Sequence, residues 1–202
     1  MSKIRLTPNA SGTGTVTLTV PSTSTDRTIT LPDTTGTLLD SSGQGVDTWY
    51  LTANKTASGT VADLTANWAR LNDTNTANGI DGLDGVLGSA MSESGGIFTF
   101  PKTGIWRVEF HPSVSGTTSN DTWYPAIYHT DDNYTTEGRY ALGLQGVVSG
   151  IISSMHHVEI FDIQDVSTHK VRFWVGSLSS GKVEGNTDYM RTWAIFTRLG
   201  DT

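Results

Sequence analysis

The chain of 202 residues contains no cysteine, and only 16% of its residues are charged. The first absence removes disulfides, thiol nucleophiles and thiolate metal sites together. The second is unusual, because a soluble domain carries about 25% charged residues. Basic charge is scarcest: 13 Lys and Arg face 20 Asp and Glu, for a formal net charge of −7. That balance lacks the basic footprint of a nucleic-acid binder. No apolar run approaches the roughly 18–20 residues of a transmembrane helix, so membrane insertion is not expected. Lys3 and Arg5 are not followed by the apolar stretch of a secretory signal, so none is expected.

Aromatic side chains are missing from the first 48 residues altogether. Threonine, serine and 22 glycines fill the space left by charge. Threonine is β-branched and suits strands, and a Thr/Ser/Gly-rich chain is a poor helix former. An all-β protein follows.

The N-terminal stretch alternates at period two. Val16, Leu18 and Val20 interleave with Thr15, Thr17 and Thr19, and Ile29 and Leu31 with Thr28 and Thr30. Each run reads as a strand with one apolar face. Such strands offer only small aliphatic residues to a core, and about 45 residues is near the limit for independent folding. Residues 1–45 are therefore expected to form a β-rich arm that folds against copies of itself or against a host surface. Residues 46–202 form the second region, with a first strand at 47–52. Val61, Leu64, Trp68 and Leu71 fit helical spacing, against which the intervening Thr, Asn and Asp count. Residues 72–88 read as a long Gly/Asp/Asn loop, of the kind that carries function or oligomer contacts.

From Gly95 onward the strand signals strengthen. Residues 97–100 and 105–110 are joined by Pro101-Lys-Thr-Gly104, which suits a hairpin turn. Further strands are expected at 123–128, 140–144, 151–163, 171–175 and 192–199. About eight strands with antiparallel-type turns make a sandwich or jelly roll. Several place large apolar residues on both faces: Val158 and Ile160 oppose Phe161 and Ile163, and Trp174 opposes Phe173. A second face holding Phe161, Trp174 and Phe196 should be covered, and another subunit is the simplest cover. These three residues are the candidates for an intersubunit face.

Two motifs resemble known families. The run Gly95-Gly-Ile-Phe-Thr-Phe-Pro-Lys-Thr-Gly-Ile-Trp-Arg-Val-Glu-Phe110 resembles the C1q/TNF-like head domain, with Phe98, Pro101 and Gly104 matching and Trp106 where the family usually has Tyr. Arg191-Thr-Trp-Ala-Ile-Phe-Thr-Arg-Leu-Gly200 resembles its closing strand, without the central Gly. The resemblance implies an antiparallel jelly-roll sandwich that assembles as a compact homotrimer. The arm run Arg27-Thr-Ile-Thr-Leu-Pro-Asp-Thr-Thr-Gly-Thr-Leu38 is similar to a segment of bacteriophage tail-fibre and head-fibre proteins. Together they imply a trimeric virion appendage, a fibre or a capsid decoration, assembled in the host cytoplasm and exposed on the particle surface. Residues 1–45 would contact other virion proteins.

Other chemistry finds little support in the residues. His156 and His157 are adjacent, and on a regular strand they point to opposite faces, which argues against a shared metal ion. Asp131-Asp-Asn133 gathers oxygen ligands without the carboxylate spacing of a calcium loop. Ser167-Thr-His-Lys170 matches Ser-x-x-Lys but lacks the partner motifs of that chemistry. Only five Glu residues occur, none in a pattern that suggests paired catalytic carboxylates. A structural role without enzymatic activity, metal or cofactor is expected. Tyr124, Tyr128 and Tyr134, with Tyr140 nearby, form an aromatic-rich region suited to surface recognition. The alternative reading is thus a receptor-binding knob that recognises a host surface glycan or protein.

Overall fold

A computed structural model describes residues 44–71, 85–117 and 121–202. The strands expected in the arm, at 15–20 and 28–31, lie outside the described residues. So does most of the expected loop at 72–88, although its end forms a strand.

Every regular element among the described residues is a strand. In chain order they are β1 (Gly45–Leu51), β2 (Lys55–Thr56), β3 (Val61–Asp63), β4 (Trp68–Arg70), β5 (Val86–Gly88), β6 (Ser92–Ser94), β7 (Ile97–Thr99), β8 (Gly104–His111) and β9 (Ser113–Gly116). There follow β10 (Thr122–Thr130), β11 (Gly138–Ala141), β12 (Gln145–Gly146), β13 (Ile152–Ser154), β14 (His157–Ile163), β15 (Lys170–Gly176), β16 (Gly181–Val183) and β17 (Trp193–Gly200). A six-stranded antiparallel sheet runs β14-β8-β17-β1-β4, with β5 also on β1. A seven-stranded sheet runs β11-β10-β15-β7-β6, with β12 on β10 and β3 on β15. A smaller sheet, β13-β9-β16-β2, completes an all-β antiparallel jelly roll.

The two large sheets close over an aromatic core. Phe98 is fully buried at its centre, with ring centroids of Trp49, Trp68, Phe173 and Phe196 between 5.0 and 5.4 Å away. Several of these rings meet edge to face, the arrangement their quadrupoles favour. Asp47 is also fully buried, and it is satisfied: Arg70 donates to both carboxylate oxygens and the Met91 amide donates to Oδ2.

One open reading is decided and two expectations about local structure change. Residues 61–71 hold two short strands and no helix; Asn67 takes φ 67° between them, and the Trp68 indole donates to the Leu64 carbonyl. The segment 151–163 breaks into β13 and β14, which belong to different sheets. Pro101–Gly104 is not a hairpin turn, because β7 pairs with β15 and β6 whereas β8 pairs with β14 and β17. It carries the chain from one sheet to the other across the core. Gly104 takes φ 130°, and a Cβ there would collide with the Gly200 carbonyl oxygen. The motif glycine is needed for close approach at a crossover.

Candidate functional sites on opposite sheet faces

Strand parity divides each large sheet into a core face and an outward face. On the six-stranded sheet, cross-strand register puts Val158, Glu109, Ile195 and Thr48 in one outward row. Ile160, Arg107, Thr197, Val46 and Leu87 form the next. Ile160 is 61% exposed, Leu87 54% and Leu199 50%, and Ile105, Ile195 and Val46 are half-buried. The charges in these rows are closed on one another: Arg107 and His156 both pair with Glu109, at 2.8 and 3.0 Å. His111 stacks on Trp193 at 4.8 Å, and His156 lies 5.9 Å from each of those rings. Burial, with a smaller contribution from neighbouring His156, lowers the His111 pKa below the usual histidine value.

A second apolar surface lies on the segment that runs through β11, β12 and β13. Leu144, Val148, Ile151 and Ile152 are exposed there, beside Tyr140 and Leu142. β11 and β13 are edge strands of their sheets, so this surface is distinct from the six-stranded face.

The outward face of the seven-stranded sheet has different chemistry. Tyr128 pairs across strands with Arg172, and Ala126 with Trp174. The Arg172 guanidinium lies 4.6 Å from the Tyr128 ring centroid, and the Trp174 ring packs on the same tyrosine at 5.1 Å. Arg139 donates to the Tyr124 hydroxyl at 3.2 Å. The Tyr124 ring lies over Gly176, where any Cβ would collide with it. Arg172 also bridges two carboxylates, Glu137 at 2.6 Å and Asp63 at 3.1 Å. The Glu137 hydrogen bond is the main reason its pKa is raised.

Beside Arg172 opens a cleft of about 490 Å³, lined by Thr65, Gly95, Ile97, Arg172 and residues 134–137. The wall formed by residues 134–137 is braced by Asp132. Its carboxylate accepts from the Thr130 hydroxyl and from the amide and hydroxyl of Thr136. Those Thr136 bonds in particular hold the Asp132 pKa below the ordinary carboxylate value. Asn133 and Tyr134 both take positive φ, 58° and 66°. For a bulky tyrosine that conformation is strained, and strain of this kind concentrates at functional sites.

The sequence candidates fall in three different places. Phe196 is fully buried in the core of the single chain, against Phe98, Phe100 and Phe173, and leaves no surface for a partner. Phe161 is also buried, stacked on His129 at 4.6 Å and edge-on to Tyr140. Trp174 is half-buried and points outward, but from the seven-stranded sheet. The three therefore share no face. Tyr124 and Tyr128 lie on the outward aromatic row, and Tyr134 lines the cleft beside it. His156 and His157 engage different carboxylates, Glu109 and Glu159. Among the described residues no group of three or more His, Cys, Asp or Glu is placed to hold a metal ion.

Sequence reasoning missed the outward-facing aliphatics Ile160, Ile195, Leu199 and Leu87, and the Asp63–Arg172–Glu137 bridge. Parity held the signal for the first group, since Val158 and Ile160 stand opposite Phe161 and Ile163. Size misdirected the choice between the faces, because the largest rings are what the core requires.

No family model matches the chain, and no curated protein matches it in sequence. Solved structures match in fold. Murine APRIL at pH 8.5 superposes with a TM-score of 0.53 at 10% identity, over 77% of this chain and 99% of that one. The Eiger TNF of S. frugiperda superposes with a TM-score of 0.54 at 13% identity, over 79% and 95%. The described jelly roll is thus of the TNF-like type expected from the Gly95–Phe110 run.

Proposed function

We propose that the chain is a structural component of a bacteriophage virion. In this reading it is a homotrimeric appendage without enzymatic activity. Its jelly-roll head is exposed on the particle surface, and residues 1–45 dock it to other virion proteins. The observation that carries the assembly reading is the outward face of the six-stranded sheet. Its aliphatic side chains cannot be satisfied by hydrogen bonds, and the Arg107, Glu109 and His156 groups among them are paired with one another.

The occupant is a second copy of the chain. Four strands of seven or eight residues, with the short β4 and β5 end to end along β1, lie about 4.8 Å apart and present a face of roughly 24 by 23 Å, a large part of the about 800 Å² per partner in a stable interface. The exposed aliphatics on the β11–β13 segment provide a different surface of matching chemistry. A face that meets a different patch on its neighbour makes a heterologous contact, and such contacts form a ring when the rotation between copies closes. Three subunits is the ring that the C1q/TNF-like resemblance implies. The virion assignment is supported by the arm run at 27–38 and by the strand alternation around it.

Light scattering on the full chain tests the assembly: a mass three times the 21.7 kDa of one chain is expected, and a monomer contradicts it. Gold-labelled antibody on purified particles of the phage that encodes the chain tests the location. Label on the particle surface is expected, and its absence contradicts the assignment.

A further inference from the structure

The cleft beside Arg172 lies on the sheet that the assembly reading leaves uncovered, so it can be judged independently of that reading. We propose that it is a binding site for a neutral saccharide, with Arg172 and Glu137 as the polar anchors and Trp174 as a platform for the next sugar ring.

Three observations converge. The first is the charge balance. Arg172, Arg139 and Lys170 contribute positive charge to this face, and Asp63, Glu137 and the Asp132 that braces the cleft wall contribute an equal number of negative charges. Arg172 is engaged by Asp63 and Glu137, at 3.1 and 2.6 Å. An anionic ligand would have to displace one of them, and a cation would meet the guanidinium. A sugar with neighbouring hydroxyls faces neither conflict. It donates to Glu137 and accepts from Arg172 without disturbing the ion pair. Hydrogen bonds to charged partners are the stronger class, which suits a ligand with no charge of its own.

The second is the character of the lining. Thr65, Thr135 and Thr136 bring hydroxyl groups to the cleft, and Ile97 and the Tyr134 ring bring apolar surface. The Tyr134 hydroxyl itself is buried, so that residue meets the cleft through its ring. A peptide ligand would instead need apolar pockets for its anchoring side chains, and Ile97 is the one aliphatic residue in the lining.

The third is pre-organisation. Asp132 ties down residues 130–136 with hydrogen bonds from Thr130 and Thr136. Asn133 and Tyr134 are held at positive φ, and Tyr134 lines the cleft from that turn. Trp174 stands two residues beyond Arg172 on the same strand, hence on the same face and about 7 Å along it. That spacing suits the sugar following the one in the cleft. Its half-buried ring rests on Tyr128, which limits the rotamers it must give up on binding.

The test is saturation-transfer NMR on the full chain with methyl glycosides of glucose, galactose, mannose and rhamnose, N-acetylglucosamine, maltose and lactose. Sialyllactose and a heparin disaccharide serve as anionic comparators. At least one neutral saccharide should bind saturably, with little dependence on salt. Glu137→Gln and Trp174→Ala should each weaken it about tenfold or more. Glu137→Gln keeps the size and shape of its side chain, so it reports on the site even if Trp174→Ala perturbs folding. Absence of saturable binding across the neutral panel overturns the proposal. So does binding confined to the anionic sugars and abolished by salt, or neutral binding that Glu137→Gln leaves unchanged. A chain that assembles normally yet binds no saccharide refutes this site alone and leaves the assembly reading standing.

Discussion

The outward faces of the two large sheets are built by the same alternation and end with opposite chemistry. On the six-stranded sheet, branched aliphatics surround an Arg107–Glu109–His156 network whose charges satisfy one another. On the seven-stranded sheet, Tyr124, Tyr128 and Trp174 lie under or beside Arg139 and Arg172, next to a cleft rich in hydroxyls. An exposed isoleucine gains only from being covered. An aromatic ring with a polar neighbour can hold a ligand and stay in water between encounters. The contrast separates a face that suits permanent assembly from one that suits reversible recognition.

The most damaging change to both faces lies between them. Phe98→Ala empties the centre of the aromatic core and should cost about 3–5 kcal/mol in urea denaturation. Saccharide binding and assembly should weaken together. A cost below about 1 kcal/mol would show that the sheets do not depend on this ring.

The next change should affect one face only. Ile160→Asp with Ile195→Asp puts two charges into the proposed contact. The protein should remain folded by circular dichroism but lose its trimeric mass, while the saccharide cleft keeps its affinity. Loss of affinity along with mass would mean that the two faces are coupled.

Asp121→Asn sharpens the contrast from the seven-stranded side. The Asp121 carboxylate receives the amides and hydroxyls of Ser179 and Ser180 at the end of that sheet, and its loss should cost about 1–3 kcal/mol. Burial alone would raise the Asp121 pKa, but the hydrogen bonds from Ser180 and Ser179 outweigh it and hold it low. A carboxylate depressed on folding stabilises above its unfolded value of about 3.9 and loses that stabilisation as pH falls through its folded value. Wild-type stability should therefore decline below about pH 4, and the variant should show a shallower decline. Equal slopes would remove Asp121 as a source.

The smallest effect belongs to His111 on the assembly face. Its pKa is lowered, chiefly by burial, so folding favours the neutral ring. Stability from this group is present above the unfolded value of about 6.5 and is lost as pH falls below it toward the folded value. Folding stability should decline modestly over that window, and His111→Gln should flatten the response. A stability that rises with acid over the same window would contradict the assignment.

Much of the fold was legible in the residues. The strands at 45–51, 104–111, 122–130, 170–176 and 193–200 sit where alternation and turn residues placed them. Pro101–Gly104 was misread because a turn between paired strands and a crossover between sheets use the same residues. The partners of β7 and β8 are remote in sequence and decide between the two. Helical spacing at Val61, Leu64 and Trp68 was coincidence over two short strands. The sites were less legible. The tyrosines of the outward row stood out by composition, but Arg172, Glu137 and Asp63 meet only through sheet register across 35 and 109 residues.

The central claim is that assembly uses the aliphatic face of the six-stranded sheet and leaves the other face free. Light scattering on the wild type and on the Ile160→Asp, Ile195→Asp double variant tests it most directly. The account predicts three chains for the wild type and one folded chain for the variant. A monomeric wild type, or a variant that remains trimeric, would contradict it.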